Sequence, residues 1–297
     1  MKLRIHAICL ALNEEAFIRE LLKSLYPFCS GISVISQYDR DYYRKPVTPD
    51  QTVPIVLDFP DPEGKIHTVC RRYRDETTAR NHEMQAICAH PHRGIRSHGV
   101  SITEIAKFHE RPDYFLIVDA DEIYDVDTMP HIIDYLAKKR PRGMRVTGHQ
   151  YLWTWNQRIP TSAIHHHHFG FVRAGTLFEM RRTFSFNESR LQKVLRLLRL
   201  PDFSAAIYGF INCPIEIGVF HHGCYLGGQE RIAAKFAKHS HLEANCPEYI
   251  ASIEHLPYDV IPTGKLPRNI REGNWPATFF DAAPSDLGRQ PASPTQP

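Results

Sequence analysis

The chain predicts an α/β fold with a mainly parallel central sheet flanked by helices, and three observations carry that expectation. Residues 5–12 and 114–118 are short, almost wholly apolar runs, the composition of strands buried on both faces. Helical periodicity fills the spaces between such runs, which implies crossover connections. The chain has 297 residues, 42% apolar and 23% charged, enough to build the core of a single folded domain and unlike a disordered or fibrous composition.

The elements follow in order. The run at 5–12 is a buried strand stopped by Asn13-Glu14-Glu15. Asn13 reads as the N-cap of a helix whose first turn carries acids where the dipole favours them. Phe17, Ile18, Leu21, Leu22 and Leu25 recur at helical spacing, and Pro27 ends the helix. Residues 31–36 read as a second strand and 53–57 as a short third one. Asp75 opens a helix that runs to about Cys88, and another helix covers 101–108. The strand at 114–118 leads straight into Asp119-Ala120-Asp121-Glu122. A helix over 128–139 tolerates Pro130 in its first turn. A strand over 144–151, a strand containing Ile217 to Phe220 and a helix over 229–239 complete the pattern. Residues 281–297 hold little bulky apolar surface and read as a disordered tail.

Charge and cysteine usage narrow the function classes. Thirty-six Lys and Arg against 33 Asp and Glu leave a formal charge of +3, too even for a surface dedicated to nucleic acid. Seven scattered cysteines without a C-x-x-C pair argue against both a disulfide framework and a thiolate zinc site, and fit a reducing cytoplasm. No segment reaches the length of a membrane span. Residues 191–200 do form a basic amphipathic pattern, with Leu191, Val194, Leu195 and Leu198 opposite Lys193, Arg196 and Arg199; such a helix can lie on an anionic membrane surface.

Two carboxylates, Asp119 and Asp121, fall just past the carboxyl end of a buried strand, where open α/β sheets bind ligands. Oxygen ligands of this kind suit Mg²⁺ or Mn²⁺, which complete their shells with substrate phosphates and water. The eighteen His residues are numerous enough to cluster by chance, and the run His165 to His168 cannot point all four rings at one ion.

Four segments in order resemble the family 2 glycosyltransferases. Ala7-Ile8-Cys9-Leu10-Ala11-Leu12-Asn13-Glu14-Glu15 is similar to their opening strand and Asn-Glu turn, and Glu76-Thr77-Thr78-Ala79-Arg80-Asn81-His82 to their Ala-Arg-Asn helix start. Val118-Asp119-Ala120-Asp121-Glu122 is similar to their Asp-x-Asp segment. Phe220-His221-His222-Gly223 with the downstream Lys235 is similar to their late His-aromatic-Gly and Lys. The resemblance covers residues 1–125 well and 215–240 loosely. It implies a GT-A-like fold, with a nucleotide-sugar-binding half over 1–125 and an acceptor-binding half over 126–280 of the same domain. It also implies metal-assisted transfer of a sugar from a nucleotide-diphospho-sugar donor to an acceptor hydroxyl, on a glycan, polysaccharide or lipid carrier.

Carried onto this chain, the resemblance puts Asn13 and Glu15 near the nucleoside and Arg80 near the diphosphate. Asp39 falls where the family places an acid on the base or ribose, although Gln37-Tyr38-Asp39-Arg40 stands where Asp-Asp-Gly-Ser is common. Asp119 and Asp121 take the metal. Aligning the late motif selects His221 as the third metal ligand, and strand alternation then turns His222 the other way. A general base for the acceptor is sought among Glu179, Glu188 and Glu216 in the second half. Two other readings stay open: a metal-dependent hydrolase built on the Asp and His residues, and a non-catalytic nucleotide-binding protein on the same fold.

Overall fold

The computed structural model describes residues 2–36, 45–89, 111–160, 167–176, 178, 209–236, 253 and 256–280. Its first half is a parallel sheet of β1 (Ile5–Leu10), β2 (Gly31–Ser36), β3 (Ile66–Cys70) and β4 (Tyr114–Asp119), ordered β3-β2-β1-β4. The chain winds outward from β1 through β2 to β3 and then crosses back to lay β4 on the other side of β1. That reversal opens a crevice at the carboxyl ends of β1 and β4, where Leu10 and Asp119 lie side by side.

The same sheet continues through β8 (His167–Arg173) and β6 (Gly143–Trp153) to β7 (Gln157–Ile159) and β11 (Asp259–Val260). This part is mixed. β8 runs antiparallel to both β4 and β6, which returns β6 to the direction of β4. β9 (Phe210–Asn212) and β10 (Phe220–Leu226) both pair parallel to β6, and β10 also pairs antiparallel with β5 (Glu122–Tyr124).

Helices cover both faces of the parallel strands, so their apolar runs are continuous rather than alternating. On one face α1 (Glu15–Leu25) and α2 (Thr52–Leu57) bury Phe17, Leu21, Leu22 and Val56 with Ala7, Cys9 and Val118. On the other, α3 (Glu76–Cys88) buries Ala79 and Met84 with Ile8, Leu10 and Ile117. Asp75 caps α3 by accepting the Thr78 N–H at 2.7 Å. Each fully buried Leu, Ile or Phe here contributes about 1.5–3 kcal/mol. In the second half, α4 (Met129–Lys139) starts with Pro130 in its first turn, and α5 (Gly228–Phe236) follows β10 through Gly227 and Gly228, both at φ near +85°. Among the described residues no helix is long and apolar enough to cross a membrane.

Three expectations need correction. Residues 53–57 are helix rather than strand. Pro54 explains it: without an N–H it cannot serve a sheet ladder, while the first turn of a helix leaves that position unbonded. Asp50 accepts the Thr52 N–H at 2.8 Å and starts the turn. The third parallel strand is instead Ile66–Cys70, whose β-branched Ile66, Thr68 and Val69 are its signal. Asn13 is not the cap of α1; it sits at φ 55°, a left-handed turn that Asn tolerates, and Glu14 takes the cap position without a side-chain cap bond. Finally, the late strand begins at Phe220, not at Ile217. The helix expected over 101–108, the amphipathic segment 191–200 and the tail from 281 lie outside the described residues.

Beneath β1 and β2 lies a buried polar chain that serves no crevice. His6 Nε2–H donates to Ser33 Oγ at 2.9 Å, and the Ser33 hydroxyl donates to Glu83 Oε1 at 3.1 Å. Burial, with nearby His67, lowers the His6 pKa to about 3, and burial raises that of Glu83 from 4.5 to about 6. The folded His6 therefore resists a proton that the unfolded chain takes up near 6.5, costing up to about 1.4 kcal/mol per pH unit on acidification. Glu83 works the opposite way between 6 and 4.5, because its folded form takes up a proton first. The net loss is concentrated between about 4.5 and 3. His6→Gln is expected to shift acid unfolding, followed by circular dichroism, to lower pH; an unchanged transition would remove His6 as its cause.

Candidate active site at the carboxyl edge of the sheet

The turn from β4 into β5 places both carboxylates of Asp119-Ala120-Asp121 at the crevice. Glu122, itself buried, pins the turn by accepting the Asp119 N–H at 3.0 Å. Asp119, partly open to solvent, accepts Arg80 Nη2 at 2.9 Å, while Arg80 Nη1 reaches Glu76 at 3.0 Å. Arg80 is 1% exposed, and among the described residues its Nε has no hydrogen-bond partner. A guanidinium held by two carboxylates keeps its orientation, because its fork matches two acceptors at once.

Asp121 is almost fully buried and meets two cations. Lys235 Nζ lies 2.6 Å from Asp121 Oδ2 and 2.6 Å from Glu14 Oε1, and His222 Nε2 lies 3.3 Å from the same Asp121 oxygen. Burial would push the Asp121 carboxyl up, but the Lys235 and His222 charges hold it well below the usual carboxylate range. Glu14 goes up, because burial outweighs its share of the Lys235 ammonium and Asp121 repels its charge. Burial opposes the Lys235 charge, yet its two carboxylates raise its pKa. Arg231, four residues before Lys235 on α5, adds a 3.5 Å contact to Glu14 and lies over the Phe17 ring.

Strand register decides which histidine belongs here. On β10, His222 pairs with Gln150 and Glu122, and His221 with His149 and Ile123. Successive side chains alternate. His222 therefore faces Asp121, with its Nδ1 2.7 Å from Gln150 Nε2, and Cys224 faces the same way with its thiol donating to Gln150 Oε1 at 3.4 Å. One donor atom each from Asp121, His222 and Cys224 lies within 4.8 Å of the others. Burial opposes the His222 imidazolium, but Cys224 and Asp121 together raise its pKa well above 6.5. Between His222 and Cys224 only Gly fits, since a Cβ at 223 would stand 2.5 Å from the Phe17 ring.

His221 takes the opposite face and shares a 2.7 Å hydrogen bond between its Nδ1 and the Tyr151 hydroxyl. Burial, with His149 and Arg158 nearby, lowers its pKa well below 6.5. The histidine turned to Asp121 is thus His222, the reverse of the selection made by motif alignment. His222→Ala is expected to weaken divalent-cation binding by about 1–3 kcal/mol, the scale of a strong polar contact, with His221→Ala much milder, as read by calorimetric titration. A larger effect at His221 would contradict this arrangement.

The remaining sequence-derived residues are dispersed. Asn13 Nδ2 donates to Thr48 O at 2.9 Å, and Glu15 Oε2 accepts the Gln51 N–H at 2.9 Å, so both bind the 48–51 segment. That segment and the first residue of α2 also satisfy the start of α1: Thr52 Oγ1 accepts the Glu14 N–H and Asp50 Oδ2 the Glu15 N–H. Glu216 is exposed in the turn before β10, toward the amino end of that strand, and the structure does not bring it to Asp121 or His222. Asp39, Glu179 and Glu188 lie outside the described residues. So do His165 and His166; the backbone of His167 and His168 pairs in β8 with Thr147 and Val146.

Sequence reasoning did not assign roles to Glu14, Gln150, Cys224 or Arg231. A faint signal exists: Gln150, His222 and Cys224 are polar residues beside the apolar Tyr151, Leu152, Phe220, Tyr225 and Leu226 of buried strands.

No family model matches the chain, and no curated relative matches it. Among solved structures it is similar to S. aureus TarS 1–349 in complex with UDP, at 13% identity and a TM-score of 0.41, over 84% of this chain and 70% of that one. The complex of the same protein with UDP-GlcNAc matches over 54% of this chain and 38% of that one, at 16% identity and a TM-score of 0.32. Glucosyl-3-phosphoglycerate synthase from Mycobacterium tuberculosis with Mn²⁺, UDP and phosphoglyceric acid matches over 50% and 43%, at 15% identity and a TM-score of 0.25. At such identities and scores the likeness carries no argument about chemistry, which rests on the residues of this chain.

Proposed function

We propose that the chain is a glycosyltransferase that takes a nucleotide-diphospho-sugar as donor and works with a divalent cation, Mn²⁺ or Mg²⁺. The observation that carries this reading is the carboxylate pair Asp119 and Asp121 at the switch point between β1 and β4, with Arg80, Lys235 and His222 aimed at it. Asp121 and His222 would hold the cation, with Asp119 beside them. When bound, the ion supplies Lewis-acid neutralisation of the diphosphate. Arg80 is fixed before the substrate arrives, so it stabilises charge developing on the leaving diphosphate without reorganising. Lys235 keeps Asp121 ionised and ready. Asn13 and Glu15 shape the wall that holds the 48–51 segment beside the nucleoside, and Asp39 contacts the base or ribose. The acceptor's proton goes to one of the carboxylates of the second half, Glu179, Glu188 or Glu216. The acceptor is a carbohydrate or lipid-linked hydroxyl. Residues 191–200 give the protein a peripheral contact with the cytoplasmic face of the membrane.

The test is thermal unfolding with UDP, GDP, CDP and dTDP, each with and without Mn²⁺. One nucleotide is expected to raise the Tm only with the cation, by about 5 °C at a hundredfold excess over its Kd. If none does, the reading fails. Turnover of a phosphoester without any acceptor would favour a hydrolase instead.

A further inference from the structure

Cys224 has no part in the mechanism above, yet its sulfur lies in the same cluster as the Asp121 carboxylate and the His222 imidazole, with all three donor atoms within 4.8 Å of one another. Donors around a tetrahedral Zn²⁺, at 2.0–2.3 Å from the ion, stand about 3.3–3.8 Å apart. Asp121 Oδ2 and His222 Nε2 are 3.3 Å apart already. We infer that Cys224 is a third protein ligand of the cation site, so that the site's preference shifts from the Mn²⁺ or Mg²⁺ of the reading above to a thiophilic ion of the Zn²⁺ class, with one position open for a substrate oxygen. The inference rests on the reading of Asp121 and His222 as the cation site.

Three features support the assignment beyond proximity. Cys224 is 8% exposed and His222 largely buried, so the donors sit in a site shielded from water. Carboxylate, imidazole and thiolate together form a donor set that hard Mg²⁺ disfavours and Zn²⁺ or Co²⁺ favours. Gln150 touches both protein ligands of β10, at His222 Nδ1 and at Cys224 Sγ. Turned over, its amide accepts the Nδ1–H of His222 through oxygen and donates to the thiolate through nitrogen, the outer support that metal-bound side chains require.

Binding forms the sulfur–metal bond and a bond from His222 Nε2 to the metal, and sends two protons to solvent, one from the Cys224 thiol and one from the His222 imidazolium. Lys235 then gives up Asp121 and stays with Glu14, 2.6 Å away on its other side. The local charge is unchanged, because two protons leave as one dication enters and the ammonium stays on Glu14.

The test uses the full chain, stripped of metal with a chelator and titrated with Co²⁺, with Zn²⁺ affinity read by competition against a chromophoric chelator. The wild type is expected to show a near-ultraviolet thiolate-to-cobalt charge-transfer band. Cys224→Ser is expected to lose the band and to bind Zn²⁺ more weakly by at least the roughly 10–100-fold that losing an outer partner costs. Cys70→Ser, at an exposed cysteine away from the site, keeps the band. Should Cys224→Ser fail to fold, Gln150→Leu serves in its place: it removes both supporting contacts, and a weakened Zn²⁺ affinity with the band retained is the expected result. Absence of the band in wild type, or its survival in Cys224→Ser, overturns the inference. If a nucleotide with Mn²⁺ still stabilises the protein in that case, the reading of the site stands without Cys224; if it does not, both fall.

Discussion

Asp121→Asn is expected to abolish cation-dependent stabilisation by nucleotide while leaving the protein folded. The carboxylate is 5% exposed, but its hydrogen-bonding shape survives in the amide, and Lys235 keeps Glu14 as a partner. What disappears is the negative charge that the cation site needs. Asp119→Asn should weaken binding in the same direction; Arg80 keeps its bond to Glu76, so the guanidinium stays in place. Differential scanning calorimetry with the stabilising nucleotide and Mn²⁺ checks both. A parent-like shift in Asp121→Asn would sink the assignment of the site, since Asp121 is the carboxylate that meets both His222 and Lys235.

Lys235→Met is expected to have the largest effect on stability. It takes the ammonium from two carboxylates that are 12% and 5% exposed, leaving Glu14 with Arg231 at 3.5 Å and Asp121 with His222 at 3.3 Å, and removing one partner of a buried ion pair typically costs about 3–5 kcal/mol. The pH dependence distinguishes this cause from lost packing. With the ammonium present, Asp121 has a depressed pKa and contributes stability that is lost only as pH falls through that low value. Without it, Glu14, already raised, moves higher still. A carboxyl whose folded pKa lies above its unfolded one stabilises the fold on protonation, so the deficit of the variant should shrink as pH falls from 8 to 5. A deficit independent of pH in urea unfolding would show that the lost methylenes, not the stranded charges, are responsible.

The parallel half of the fold is legible in sequence because strands covered by helices on both faces are apolar at most positions, with His6 and Ser33 as hydrogen-bonded exceptions. Ile5–Leu10, Gly31–Ser36 and Tyr114–Asp119 announce themselves that way, and Asp75 marks α3 by its capping chemistry. Segment 52–57 misled because its β-branched residues outweighed one proline, and Ile66–Cys70 was hidden because an edge strand needs no continuous apolar run.

The sequence by itself determined that two carboxylates follow a buried strand, and that Arg80 and a late His pair stand in the order a carboxyl-edge site requires. These are local facts, carried by composition and spacing within single segments. Only the tertiary structure decided that His222 rather than His221 meets Asp121, because a register change of one residue exchanges the two faces of β10 and nothing inside Phe220–Leu226 sets that register. It alone brought Lys235 across 114 residues to Asp121 and Glu14 across 221 to Lys235, and set Cys224 and Gln150 beside His222. Such partners meet because parallel strands from distant parts of the chain end at one edge of the sheet, a consequence of strand order that no single segment encodes.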